Sequence, residues 1–161
     1  MFYVLSFPVH AFVAGGSLYK TAGSQITLEE IRGRAEELGI AERVTFTGFL
    51  EDTAPLLRSL DVVVHASTEP EPFGLTIAEG MACGRAVVGS MAGGVTALLI
   101  DGVNGLGHAP GDVQGLAKAM ERLLCDPQMR EQYGLAARRT AEDLLKPERM
   151  AQEFVAIYEG V

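Results

Sequence analysis

The stretch that decides the fold runs Asp61-Val62-Val63-Val64-His65, then Glu69-Pro70-Glu71-Pro72-Phe73-Gly74-Leu75-Thr76-Ile77-Ala78-Glu79-Gly80-Met81-Ala82-Cys83-Gly84, then Arg85-Ala86-Val87-Val88-Gly89. The first and last runs are nearly continuous in apolar residues, as expected of strands covered on both faces in a parallel sheet. Between them lies an amphipathic helix opened by Phe73-Gly74, with Leu75, Ala78, Met81 and Ala82 on its apolar side. Two successive X-Pro steps push Glu69 and Glu71 out of the α region and stiffen the approach as an extended loop, which holds Glu71 on a rigid tip. Folds of this class bind ligands at the carboxyl ends of their strands. The Ala66 to Gly74 loop leaves the Asp61 to His65 strand at that end.

The same alternation extends outward. His10 to Ala14 is a short apolar run ended by Gly15-Gly16, and Thr27-Leu28-Glu29-Glu30 is a capping box for a helix bearing Ile31, Ala35 and Leu38 and closed by Gly39. Arg43 to Thr47 reads as a strand, and Asp52 as the cap of a short helix through Leu56, Leu57 and Leu60. Gly93-Gly94 is a turn that begins another short helix, and Gly102 to Gly107 is a short edge element. From Asp112 the chain is helical, with Asp112 and Asp126-Pro127 as starts and Pro147 opening a last helix that carries Met150, Phe154, Ile157 and Tyr158. The expected fold is α/β, a doubly wound parallel sheet with a helical C-terminal tail, over a single domain spanning 1–161. Met1 to Phe7 is expected to be a strand or a disordered tail.

Composition narrows the function. With 161 residues, 48% hydrophobic and 21% charged, the chain can bury a core of its own. A net charge of −8 argues against binding to nucleic acid or to an anionic membrane, so any anion site must be local. Met1 to Ala14 has no basic flank and is interrupted by Pro8 and His10, which argues against a signal peptide or a membrane span, and a cytoplasmic location is expected. Cys83 and Cys125 lack metal-ligand spacing and read as small buried apolar residues. His10 and His108 have no partner at metal or triad spacing, and no metal is expected.

The chemistry concentrates around Glu71 and Glu79. The unpaired N–H groups of the helix's first turn and the positive end of its dipole form an anion site, and Gly74 allows a ligand close approach. Glu79, in the second turn, is placed to accept hydrogen bonds from hydroxyls of a ligand whose phosphates occupy the first turn. His65, at the mouth of the cleft, either touches sugar or phosphate or is satisfied by a neighbouring backbone group. Ser67 and Thr68 are read as ligand hydroxyls or as turn formers.

These residues, with Ala14-Gly15-Gly16-Ser17, Arg43-Val44-Thr45-Phe46-Thr47-Gly48, Val87-Val88-Gly89-Ser90, Gly93-Gly94, Asp101-Gly102-Val103-Asn104-Gly105-Leu106 and Pro110-Gly111-Asp112, carry a family resemblance in their order and spacing. The stretch from about Pro8 to Asp112 resembles the C-terminal, nucleotide-sugar-binding domain of the group 1 retaining glycosyltransferases, which have the two-domain GT-B fold. The resemblance implies a nucleoside-diphosphate sugar as donor, with no further cofactor, and transfer of a hexosyl group. It places Glu71 beside the transferred sugar as the catalytic carboxylate, Glu79 on the ribose, and the backbone amides of Phe73, Gly74, Leu75 and Thr76 on the diphosphate. It puts the nucleobase near the turn from Gly48 to Leu50 and has Gly15 and Gly16 line the same cleft.

The sequence also departs from the family pattern. The N-terminal acceptor domain and the first strand-helix unit, with its phosphate-gripping arginine and lysine, are missing from these residues. Thr96 and Ala97 stand where a proline and a glutamate are usual, Ala86 replaces a proline, and Gly80 replaces an alanine at a cost of about 1 kcal/mol. Two readings follow: the donor-binding half of a glycosyltransferase that needs an N-terminal domain for turnover, or a stand-alone, non-catalytic binding or interaction module. The Phe154 and Tyr158 stripe reads as core or inter-domain packing, and the two readings differ in whether Glu79 has a ribose to hold and in whether an apolar face left bare by the missing domain is covered by self-association or a partner domain.

Overall fold

The structure, a computed structural model, describes residues 9–15 and 27–160. The expectations for Met1 to Phe7 and for Gly16 and Ser17 lie outside them. The chain divides into two units, residues 1–53 and 54–161.

In the first unit β1 (Ala11–Ala14) runs parallel to β2 (Val44–Gly48), in register from Ala11 opposite Val44, with a shift between Val13 and Ala14. Between them lies α1 (Leu28–Glu37). Its start is the capping box read from the sequence: the Glu30 N–H donates to Thr27 Oγ1 at 3.2 Å, and the Thr27 N–H donates to Glu30 Oε2 at 2.6 Å. Gly39 has φ 68°, which lets the chain leave the helix and return to β2 through a 3-10 turn at Ala41–Arg43. Ala35 is buried, and the Arg32 guanidinium lies 5.5 Å from the centre of the Phe46 ring.

The second unit is built on β3 (Val62–His65), β4 (Ala86–Ser90) and β5 (Leu106–His108), parallel and in that spatial order. Strand alternation sends Val63 and Val87 to one face, where α3 (Leu75–Ala82), α4 (Val95–Leu98) and α6 (Pro127–Leu144) supply Ile77, Met81, Val95, Leu98, Ala137 and Ala141. Val62, Val64, Ala86, Val88 and Leu106 face the other way, onto Ala119 and Leu123 of α5 (Val113–Cys125). Both faces are covered, so the unbroken valine runs are accounted for, and every residue of the central β4 is buried. Side chains such as Ile77, Met81 and Leu123, withdrawn fully from water, each stabilise the unit by about 1.5–3 kcal/mol. The short helix α2 (Ala54–Ser59) adds Leu57 to the α3 side.

Helix ends follow their sequence signals. Asp112 accepts from the Gly115 N–H at 2.9 Å, and Asp126 accepts from the Met129 N–H at 2.9 Å, with Pro127 at the first helical position. The last helix, α7 (Pro147–Glu159), has no buried residue. Parallel sheets with flanking helices and a helical tail thus make an α/β, Rossmann-like fold.

Three expectations need correction. Leu75 is not on the apolar side of α3: it is 65% exposed, and Ile77 takes the core position, because the buried stripe runs 77, 78, 80, 81. Cys125 is exposed and Cys83 half-buried, each at a helix C-terminus where packing is open on one side. Gly80 is not merely a weak helix former: a Cβ there would meet the Val63 side chain at 3.1–3.2 Å, so the glycine lets α3 lie close on β3.

Candidate functional site

The loop between β3 and α3 is held by backbone, not by chance packing. Glu71 forms a parallel bridge with Gly93, and the Gly94 N–H donates to the Glu71 carbonyl at 2.7 Å. The approach leaves no room for side chains on the other strand of the bridge: a Cβ on Gly93 would come within 2.1 Å of the Glu71 oxygen, and one on Gly94 within 2.3 Å of the Pro72 oxygen. The loop that carries Glu71 is therefore clamped to the turn following β4. Ser67 Oγ donates to the Glu69 carbonyl at 2.9 Å, so this hydroxyl serves the turn.

Gly74 is the N-cap of α3, at φ 84°, a left-handed conformation that favours glycine. A Cβ there would also strike Val95 Cγ2 at 2.7 Å. The glycine is explained by this internal crowding, and close approach of a ligand is not needed to account for it. Gly74, with no side chain, offers no cap to the first-turn N–H groups of Leu75, Thr76 and Ile77. Leu75, Thr76 and Glu79 are all exposed, and the i, i+3 and i, i+4 spacing places Glu79 on their side of the helix. Helical side chains lean toward the N-terminus, which directs the Glu79 carboxylate toward that first turn. Phe73 is exposed beside it.

His65 ends β3 on the face that Val63 shares with α3. It is 7% exposed, and its Nε2 lies 3.1 Å from Glu71 Oε2. That is ion-pair distance, yet the ring N–H does not point along the line, so neither ring nitrogen has a hydrogen-bond partner. The backbone does not satisfy the imidazole either, so of the two readings of His65 the one that involves a neighbouring backbone group is not what is seen. Ser90, which pairs with His108 in the β4–β5 register, is 1% exposed and its hydroxyl is also without a partner. His108, isolated in the sequence, is buried: its Nδ1 is 2.8 Å from the Ala109 carbonyl and its Nε2 3.4 Å from the carbonyl of His65, which ties the end of β5 to the end of β3. Polar residues thus end all three strands on the side from which the Glu71 loop emerges. The signal for Ser90 and His108 was present as a polar residue closing each apolar strand.

Asn104, within the Asp101 to Leu106 motif, is a buried anchor. Its side chain accepts from the Ile100 N–H at 2.7 Å and donates to the Leu98 carbonyl at 2.9 Å and to Thr140 Oγ1 at 3.0 Å, which fixes the turn before β5 against α6. Thr96, in the place of a family proline, donates to the Gly93 carbonyl at 2.8 Å and serves the turn. In the first unit the Gly15 N–H donates to the Gly48 carbonyl at 2.9 Å, and both glycines have positive φ. Gly16 lies outside the described residues.

A cavity of about 400 Å3 opens at the opposite, amino ends of β3 and β4, lined among others by Asp61, Arg85, Arg130 and Arg138. Its arginines are engaged by helix C-termini. Arg130 donates to the carbonyls of Leu123 and Leu124 at 2.7 and 2.9 Å, Arg85 to those of Leu60 and Cys83 at 3.3 Å, and Arg138 to that of Ala82. The cavity is thus a meeting of helix ends. Among the described residues no group of three or more His, Cys, Asp or Glu could hold a metal ion, and no helix is long and apolar enough to cross a membrane.

Known proteins match this sequence and fold along most of the chain. Residues 9–140 fit the family described as glycosyl transferases group 1. The chain belongs to that family. Among group 1 relatives it is 40% identical over 96 residues to the lipopolysaccharide core biosynthesis glycosyltransferase LpsE of Rhizobium meliloti, a stretch that covers 60% of this chain and 28% of LpsE. It is 32% identical over 126 residues to the N-acetyl-alpha-D-glucosaminyl L-malate synthase of Bacillus anthracis, covering 78% of this chain and 33% of that enzyme. Among solved structures, HepE of Anabaena in complex with UDP superimposes with a TM-score of 0.87 at 33% identity, over 95% of this chain and 41% of HepE. HepE has also been solved with UDP and glucose and with UDP-glucose. The group 1 chain described here therefore spans about a third of the curated relatives it matches.

Proposed function

We propose that this chain is the donor-binding domain of a retaining glycosyltransferase that uses a uridine-diphosphate hexose. One observation carries the reading: a helix start with no side-chain cap, with Glu71 and Glu79 on either side of it, clamped at the carboxyl end of a parallel sheet. The first-turn amides after Gly74, together with that of Phe73, bind the diphosphate and stabilise the charge that builds on it as it leaves. Glu79 accepts from the ribose hydroxyls. Glu71 faces the transferred sugar and stabilises positive character on its ring as the bond to the diphosphate breaks. The family match supports glycosyl transfer, and the UDP and UDP-glucose complexes of HepE support the choice of donor. Turnover uses an acceptor-side domain, for which the longer relatives have room. The bare face of α7, with Phe154, Ile157 and Tyr158 exposed, is where such a domain or a second copy would pack.

Thermal unfolding with UDP, GDP and ADP, each with and without a hexose, tests the reading. Ligand at ~100 times its dissociation constant is expected to stabilise the wild type by about 2.7 kcal/mol. The uridine nucleotides should produce the shift and Glu79→Ala should abolish it. No shift with any nucleotide would overturn the donor-binding reading and favour a non-catalytic interaction module.

A further inference from the structure

Glu71 has one ion-pair partner among the described residues, and it is buried. Its main chain is already immobilised by the bridge to Gly93 and the bond from Gly94. Only the side chain remains to be aimed. The imidazole of His65 lies beneath it on the end of β3, held on the α3 face by strand alternation from Val63, while His108 reaches the His65 carbonyl and fixes the strand end itself. A buried imidazole without any hydrogen-bond partner is costly, and the Glu71 carboxylate at 3.1 Å is the acceptor within reach. A small rotation of ring or carboxylate brings the N–H into line, a tightening of the kind that catalytic hydrogen bonds undergo when a ligand arrives.

We propose that His65 is a positioning residue for Glu71: its neutral imidazole carries the proton on Nε2, donates it in a hydrogen bond to Oε2, and leaves Oε1 as the acceptor for a hydroxyl of the transferred sugar. The assignment deepens the donor-binding reading and rests on it. It separates two parts of the donor: the diphosphate and ribose are held by α3 and Glu79, and the His65–Glu71 pair discriminates the sugar. Removing His65 therefore affects binding of the sugar and not of the nucleotide.

Two measurements on the intact chain test this. The first is the nitrogen-15 chemical shifts of the His65 ring at about pH 8.5, where an ordinary imidazole is neutral. The wild type is expected to show the Nε2–H tautomer, and Glu71→Ala to lose that preference. The second is calorimetric affinity for UDP and for UDP-glucose. In His65→Phe the ratio of UDP-glucose to UDP affinity is expected to fall about tenfold, the worth of one charge-assisted hydrogen bond, with UDP affinity held within about twofold. In His65→Gln, which keeps an N–H donor, most of that ratio should return. An unchanged tautomer in Glu71→Ala, an unchanged ratio in His65→Phe, or an equal loss for both ligands would overturn the positioning role while leaving the donor site standing. A wild type that binds neither ligand would overturn the donor reading, and this assignment with it.

Discussion

Gly93 and Gly94 are the residues whose replacement has the clearest outcome. A methyl group on Gly93 would meet the Glu71 carbonyl at 2.1 Å, and its φ of 61° is strained for any side chain. Gly93→Ala is therefore expected to destabilise the second unit by roughly 2–4 kcal/mol, read from urea unfolding, and to weaken nucleotide binding in whatever fraction stays folded. At this scale the sequence was partly legible. Glu71 and Glu79 stood out because two X-Pro steps and a helix start surround them. Gly74 was legible as a special position, yet the crowding by Val95 that explains it is a contact between residues far apart in the chain. The same holds for Asn104, whose three partners come from the turn before β5 and from α6.

Among the elements, α1 owes its start to the reciprocal bonds of Thr27 and Glu30. The Thr27 backbone N–H, and then its hydroxyl, hold the Glu30 carboxyl below its ordinary range. A carboxyl depressed in the folded state contributes stability that is present above its unfolded value and lost as the pH falls through its folded value. Acidification from about pH 5 to about pH 3 is thus expected to destabilise the wild type more than Glu30→Gln, which has no charge to lose there. Denaturant unfolding of both proteins across that range checks the sign. Helix starts such as this one were readable because a cap is a local arrangement spelled out by adjacent residues. The face of α3 was harder: Leu75 and Ile77 are equally apolar, and only the position of β3 and α4 decides which is buried.

For the molecule as a whole, the three-stranded unit draws its core from α3, α5 and α6, whereas α7 contributes no buried residue. Ending the chain after Lys146 is therefore expected to change the unfolding free energy by less than ~1 kcal/mol. Cutting before Pro127 removes Ala137 and Ala141 from the core and is expected to abolish cooperative unfolding. Urea denaturation of the two truncations distinguishes these outcomes. The alternation of strands and helices, and so the fold, was plain from the valine runs, since strands covered on both faces have no polar alternation. How a helix such as α7 is covered depends on surfaces that no run of its own residues describes.

The clamp between the Glu71 loop and the Gly93–Gly94 corner also bears on protein engineering. Because the carboxylate is placed by a backbone bridge to a segment some twenty positions later, the run from Glu71 to Gly84 is not a portable cassette. Grafted alone onto another scaffold it would bring the acids and the helix but lose the geometry between them. The smallest transplantable part is the whole strand, loop, helix, strand and glycine corner taken together.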